Sequence, residues 1–181
     1  MFFIFSLLSL YMQIAIAAHG SETGEEVEDK SKRFLRVLSR CHRHSLLVGG
    51  YWGLMRTVVD EALRLGINVV AILPEEMEHV ILPPQVVRIN TGCEPRCRSV
   101  MLVRSGDILV SLGGEAGTMT EILMAYAMGK TIYSLVGTGL STDLLLKAFP
   151  THLDQRRTGE VFHFQDPEEM GREICKKYYG I

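Results

Sequence analysis

Gly113-Gly114-Glu115-Ala116-Gly117-Thr118, with Glu121 one helical turn further on, is the stretch whose residue types and spacing could do chemistry. An apolar run at residues 108–112 leads into it, long enough for one buried strand and too short for a helix. An amphipathic segment follows, carrying Ile122, Leu123, Ala125, Tyr126 and Met128 and stopped by Gly129. Strand, glycine turn and helix start together make an anion site. First-turn N–H groups have no intrahelical acceptor and carry partial positive charge, and glycines let a phosphate come close to the backbone. Gly114, Glu115, Ala116, Gly117 and Thr118 are therefore expected to floor a nucleotide-phosphate site. Glu121 has a structural alternative, because Thr118-x-x-Glu121 is also the pattern of a capping box.

The elements that must position this stretch alternate along the chain. Apolar runs at residues 12–18, 45–48, 67–73, 86–89, 108–112 and 131–136 predict strands, and the alternating 160–164 predicts an edge strand. Helical spacing marks residues 22–43, 54–65, 96–105 (Val100, Met101 and Val103 facing the core), 141–149 with Ser141 as N-cap, and a closing helix after Asp166-Pro167. This order predicts an α/β fold: a doubly wound, mostly parallel sheet flanked by helices on both faces. Ligands in such sheets bind beyond the carboxyl ends of the strands. Gly20-Ser21, Gly49-Gly50 (leading on to Gly53), Gly113-Gly114 and Gly137–Gly139 each follow a strand, and they are expected to line one edge.

With 181 residues, 47% of them apolar, the chain suits one packed domain. That domain is expected over residues 12–181, with residues 1–11 as an apolar N-terminal extension whose standing the sequence leaves open. A net charge of −2 argues against nucleic acid as a partner. Cys41, Cys93, Cys97 and Cys175 form no C-x-x-C and are expected as reduced structural thiols, a bridge staying open. The six histidines form no H-E-x-x-H, so no metal is expected, and nothing calls for a cofactor. Residues 1–18 are apolar enough for a signal peptide, but no Lys or Arg precedes the run. Cleavage there would also remove the first strand. The expectation is a cytoplasmic protein with no membrane partner.

No Gly-Lys-Ser/Thr occurs, and no G-x-G-x-x-G has an acidic residue at the right distance, which disfavours triphosphate hydrolysis and dinucleotide dehydrogenation. Residues 48–74, VGGYWGLMRTVVDEALRLGINVVAILP, with residues 111–121, SLGGEAGTMTE, resemble the LOG (lonely guy) family. Its members were long mislabelled lysine decarboxylases, and they share a superfamily with DNA-processing protein A. The family's second motif is P-G-G-x-G-T-x-x-E. Gly114, Gly117, Thr118 and Glu121 occupy its positions, while Gly113 stands for the usual proline and Glu115 for the second glycine.

The resemblance implies a Rossmann-like domain that hydrolyses the N-glycosidic bond of a nucleoside 5′-monophosphate to base and ribose 5-phosphate. Arg98 falls where the family carries the arginine that works with the motif glutamate, and Ser99 replaces the lysine that follows it. Arg98 and Glu121 are thus the expected catalytic pair. The phosphate would sit on the N–H groups of Gly117 and Thr118, with Ser21 opposite, and Gly20, Gly49, Gly50 and Gly53 completing the site. Glu121 would remain ionised beside a helix start and stabilise the cation that develops on the ribose. A small-molecule nucleotide is the implied partner and a homodimer the implied assembly. The alternative is a non-catalytic protein that binds or carries a nucleotide or phosphorylated cofactor. DNA handling fails on charge.

Overall fold

The first strand, β1 (Met12–Ala17), lies at the centre and is buried from both sides. Ile14 and Ile16 point to one face of the sheet, Ala15 and Ala17 to the other, and all four are fully buried. Ala15 has little room beside it. The backbone at Gly106 comes so near that a Cβ there would lie 2.6 Å from the Ala15 Cβ. The computed structural model describes residues 11–41 and 43–181. Of the extension expected over residues 1–11, all but Tyr11 lies outside the described residues.

β1 pairs in parallel with β2 (His44–Val48) on one side and β5 (Ile108–Ser111) on the other, with Ile14 level with both Leu46 and Ile108. Beyond β2 lie β3 (Asn68–Leu73) and β4 (Val87–Asn90), and beyond β5 lie β6 (Thr131–Leu135) and β7 (Glu160–Phe164). The order is β4-β3-β2-β1-β5-β6-β7, every pair parallel. The chain winds outward in opposite directions from the β1–β5 junction, which makes that junction the switch point where such sheets open a crevice.

Helices α1 (Glu25–Leu38), α2 (Gly53–Arg64) and α6 (Pro167–Tyr179) cover the face carrying Ile14 and Ile16. Helices α3 (Pro95–Ser105), α4 (Ala116–Ala127) and α5 (Leu144–Ala148) cover the face carrying Ala15 and Ala17. The doubly wound α/β reading holds. Two inward faces differ from expectation. On α3 the buried residues are Arg98, Ser99, Leu102 and Val103, while Val100 and Met101 are exposed. Leu123 and Met128 around α4 are exposed as well. Helical periodicity alone does not fix the phase of a short helix, and here the phase is set by a polar pair turned inward. No helix among the described residues is long and apolar enough to cross a membrane.

The cysteines are not free thiols. Cys41, just past α1, is bonded to Cys175 of α6, with Cα atoms 5.6 Å apart, and Cys93 is bonded to Cys97 at the start of α3. Spacing could not reveal the first pair, because its members are 134 residues apart and meet only when α6 packs on α1. Closing so long a loop restricts the unfolded chain. Replacing Cys41 and Cys175 together with serine is expected to lower denaturant stability by about 2–4 kcal/mol under oxidising conditions. The same unfolding midpoint for wild type and variant would contradict the bond.

Candidate functional site

A cavity of about 630 Å³ opens at the switch point. The exit of β1 contributes Gly20 and Ser21, the start of α4 contributes Glu115 to Thr118, and α3 contributes Arg98 and Ser99. Trp52 and Met55 stand on the α2 side. Helix α4 begins at Ala116, three residues before the start that a Thr118 cap would set, so the N-cap position falls to Glu115. Glu115 makes no capping hydrogen bond. The first-turn N–H groups of α4 therefore meet the cavity without a side-chain acceptor among the described residues, carrying the positive end of the helix dipole.

The earlier start also moves Glu121 into the second turn. It is no longer three residues past the cap, and the capping box does not form. Its carboxylate instead accepts a hydrogen bond from Ser99 Oγ at 2.8 Å and faces Arg98 Nη1 at 3.4 Å. Arg98 is 9% exposed and Glu121 6%, yet both reach the cavity wall. Arg98 Nε is buried without a hydrogen-bond partner. Burial pushes the Glu121 carboxyl above the usual carboxylate range, against the opposing pull of Arg98 and then of the Ser99 hydrogen bond. Burial likewise lowers the Arg98 guanidinium, with Glu121 opposing it. The expectation that the helix start would keep Glu121 ionised is corrected. The dipole fades within the first turn, and desolvation is the larger effect here.

The expected binding residues divide into two sets. Gly20, Ser21, Glu115, Ala116, Gly117 and Thr118 line the cavity. Gly49, Gly50, Gly53 and Gly114 do not, and each instead makes room for a neighbour. A Cβ at Gly49 would fall 1.8 Å from Arg98 Nη1, one at Gly50 2.2 Å from the Trp52 ring, and one at Gly114 2.0 Å from Thr118 Oγ1. A Cβ at Gly53, whose φ is +52°, would fall 2.5 Å from the Ser21 carbonyl oxygen. Gly117 is the opposite case, because a Cβ there would meet nothing within 4 Å. Its missing side chain leaves free space in front of the helix start.

The Glu115 carboxylate, in the cavity wall, accepts a hydrogen bond from Ser141 Oγ. Ser141 thus caps nothing. It lies in a 3₁₀ turn, Ser141–Asp143, ahead of α5. Thr142 exchanges two hydrogen bonds with Gly114, its Oγ1 accepting from Gly114 N at 3.1 Å and its own N–H donating to Gly114 O at 3.0 Å. Asp143 accepts from Thr138 N at 2.8 Å and Gly139 N at 2.7 Å. The Gly137–Gly139 loop is therefore away from the cavity, bracing the glycine turn from behind. Ser99, Ser141 and Thr142 were missed as site residues because their partners are 22 to 28 residues away in sequence. Among the described residues no three His, Cys, Asp or Glu side chains cluster so as to hold a metal ion.

Residues 11–170 match the model of the SLOG cluster4 family. An uncharacterized protein of Archaeoglobus fulgidus is 35% identical over 124 residues, which is 68% of this chain and 80% of that one. The X-ray structure of TM1055, a structural-genomics target, is 30% identical with a TM-score of 0.80, covering 92% of this chain and 99% of that one. The molybdenum cofactor carrier protein of Chlamydomonas reinhardtii shares the fold at 21% identity and a TM-score of 0.73, over 94% of this chain and 99% of its own. DNA processing protein A from Helicobacter pylori shares it at 12% identity and a TM-score of 0.67, over 93% and 82%. That last structure is described for its single-stranded DNA binding mode. It overturns the exclusion of nucleic acid partners argued above. Net charge averages over the whole surface, whereas a single strand needs only a local groove.

Two outcomes follow from this geometry. Gly114→Ala is expected to lower thermal stability by about 1–3 kcal/mol through overpacking on Thr118, while Gly117→Ala, which meets open space, leaves the melting temperature unchanged or higher. Equal melting of the two variants would contradict the placement. The second outcome concerns pH. Glu121 titrates above its ordinary value of 4.5 in the folded state, so the unfolded chain ionises first and stability falls as pH rises from there towards the raised value. Unfolding curves across that window should show the fall in wild type and its loss in Glu121→Gln.

Proposed function

The chain belongs to the SLOG cluster4 family, and from that premise we propose that it binds a nucleotide or similarly phosphorylated cofactor and holds it without cleaving the glycosidic bond. The observation that carries this reading is the uncapped start of α4, with Gly117 leaving space before it and Arg98 in the wall of the same cavity. A phosphate there accepts from the first-turn N–H groups and faces the guanidinium, charge-assisted contacts that are stronger than neutral ones. Ser21 lines the same cavity and supplies a hydroxyl.

Holding rather than hydrolysis is supported by Glu121. Cleaving an N-glycosidic bond builds positive charge on the ribose, and an ionised carboxylate facing the sugar stabilises that charge most in the transition state. Here the carboxylate is bound by Ser99, 6% exposed, and biased by burial towards its neutral form. A relative of the same fold is a molybdenum cofactor carrier, which agrees with a ligand-holding role. Hydrolysis is the second reading, and one observation favours it: Arg98 and Glu121 both reach the cavity wall.

The separating experiment incubates purified protein with a panel of nucleoside 5′-monophosphates, following binding by calorimetry and free base by chromatography. Binding without base release is expected, and Arg98→Leu should weaken it about tenfold or more, the range for losing a charge-assisted contact. Base release that Glu121→Gln abolishes would establish the hydrolase instead. Absence of binding to every member of the panel and to ribose 5-phosphate would overturn both readings.

A further inference from the structure

The phosphate contacts proposed above use only one end of a cavity whose size suits a small-molecule ligand rather than a bare anion. Trp52, the chain's single tryptophan, stands in the wall on the α2 side. It precedes α2 in extended conformation, φ −152° and ψ 164°. The ring occupies volume that two neighbouring side chains would otherwise need. A Cβ at Gly50 would fall within 2.2 to 2.6 Å of three atoms of its six-membered ring, and one at Gly20 would lie 3.4 Å from Nε1. Glycines at the exits of β1 and β2 thus let an indole lie between them. The ring is half-buried, resting on the core with Met55 nearby, and it stacks on no aromatic side chain among the described residues.

A large aromatic surface left unstacked, in the wall of the cavity that holds the phosphate site, is suited to a planar ring. Resting on the phosphate reading above, we propose that Trp52 is the stacking platform for the ligand's heteroaromatic ring. The ligand class is then a phosphomonoester bearing a fused or single heterocycle, not a plain sugar phosphate. The competing role for Trp52 is filling, in which the ring only seals the sheet edge against α2. The two roles part on ligand selectivity, because a filler affects all ligands alike through the fold.

The test measures adenosine 5′-monophosphate, guanosine 5′-monophosphate and ribose 5-phosphate against wild type, Trp52→Phe and Trp52→Leu. Calorimetry gives affinity, and melting temperature checks that each variant folds. Wild type should bind the nucleotides about tenfold or more tightly than ribose 5-phosphate, and Trp52→Leu should erase that advantage while leaving ribose 5-phosphate unaffected. Trp52→Phe, which keeps an aromatic face, should retain most of it. Indole fluorescence in wild type should respond to the nucleotides and not to the sugar phosphate. Equal affinity of wild type for nucleotide and sugar phosphate, or a Trp52→Leu loss shared by both, overturns the stacking role and leaves the phosphate reading standing. No binding of any of the three overturns both.

Discussion

Everything proposed for this chain depends on first-turn N–H groups of α4 that no side chain among the described residues caps. A helix start usually finds a Ser, Thr, Asp or Asn side chain to close it, and α3 and α6 here are closed in that manner by Glu94 and Asp166. Helix α4 is not. The residue in its cap position, Glu115, turns its carboxylate to Ser141, and the next residue that could have served, Thr118, is already helical and set against Gly114. The open start lies at the β1–β5 switch point, so the polarity of the helix and the topology of the sheet point at one place.

Around that start the glycines act mainly as spacing devices. Gly49 lets the Arg98 guanidinium in, Gly50 lets the indole in, and Gly114 lets Thr118 close on the turn. Gly117, by contrast, faces open space. The turn itself is held from behind by Thr142, whose two bonds to Gly114 fix its backbone before any ligand arrives. Such prior fixing lowers the ordering cost of binding. Arg98 and Glu121 form a buried pair whose charges are both disfavoured by desolvation, and a pair of that kind specifies position more than it adds stability.

Much of this could be read from the residues. The alternation of apolar runs and helical segments gave the parallel sheet, and the strand–glycine–helix pattern gave the side of the cavity that α4 builds. Two kinds of information were not in the pattern. The phase of α3 is set by Arg98 and Ser99 turning inward to meet Glu121, whereas short-range periodicity favours apolar residues and points Val100 and Met101 to the core in their place. Contacts across 22 or more residues, such as Ser99 with Glu121, Ser141 with Glu115 and Cys41 with Cys175, arise only from the packing of whole elements. The capping box does not form for a smaller reason: a start three residues earlier puts Glu121 one turn too deep.

The central claim is that the first turn of α4 is the anion-binding surface. Titrating isotopically labelled protein with ribose 5-phosphate and following backbone amides by NMR tests it at the atoms concerned. The account predicts that the largest saturable shifts fall on the N–H groups of Ala116, Gly117 and Thr118. Saturable shifts confined to another part of the chain, or none at all at these three, would contradict it.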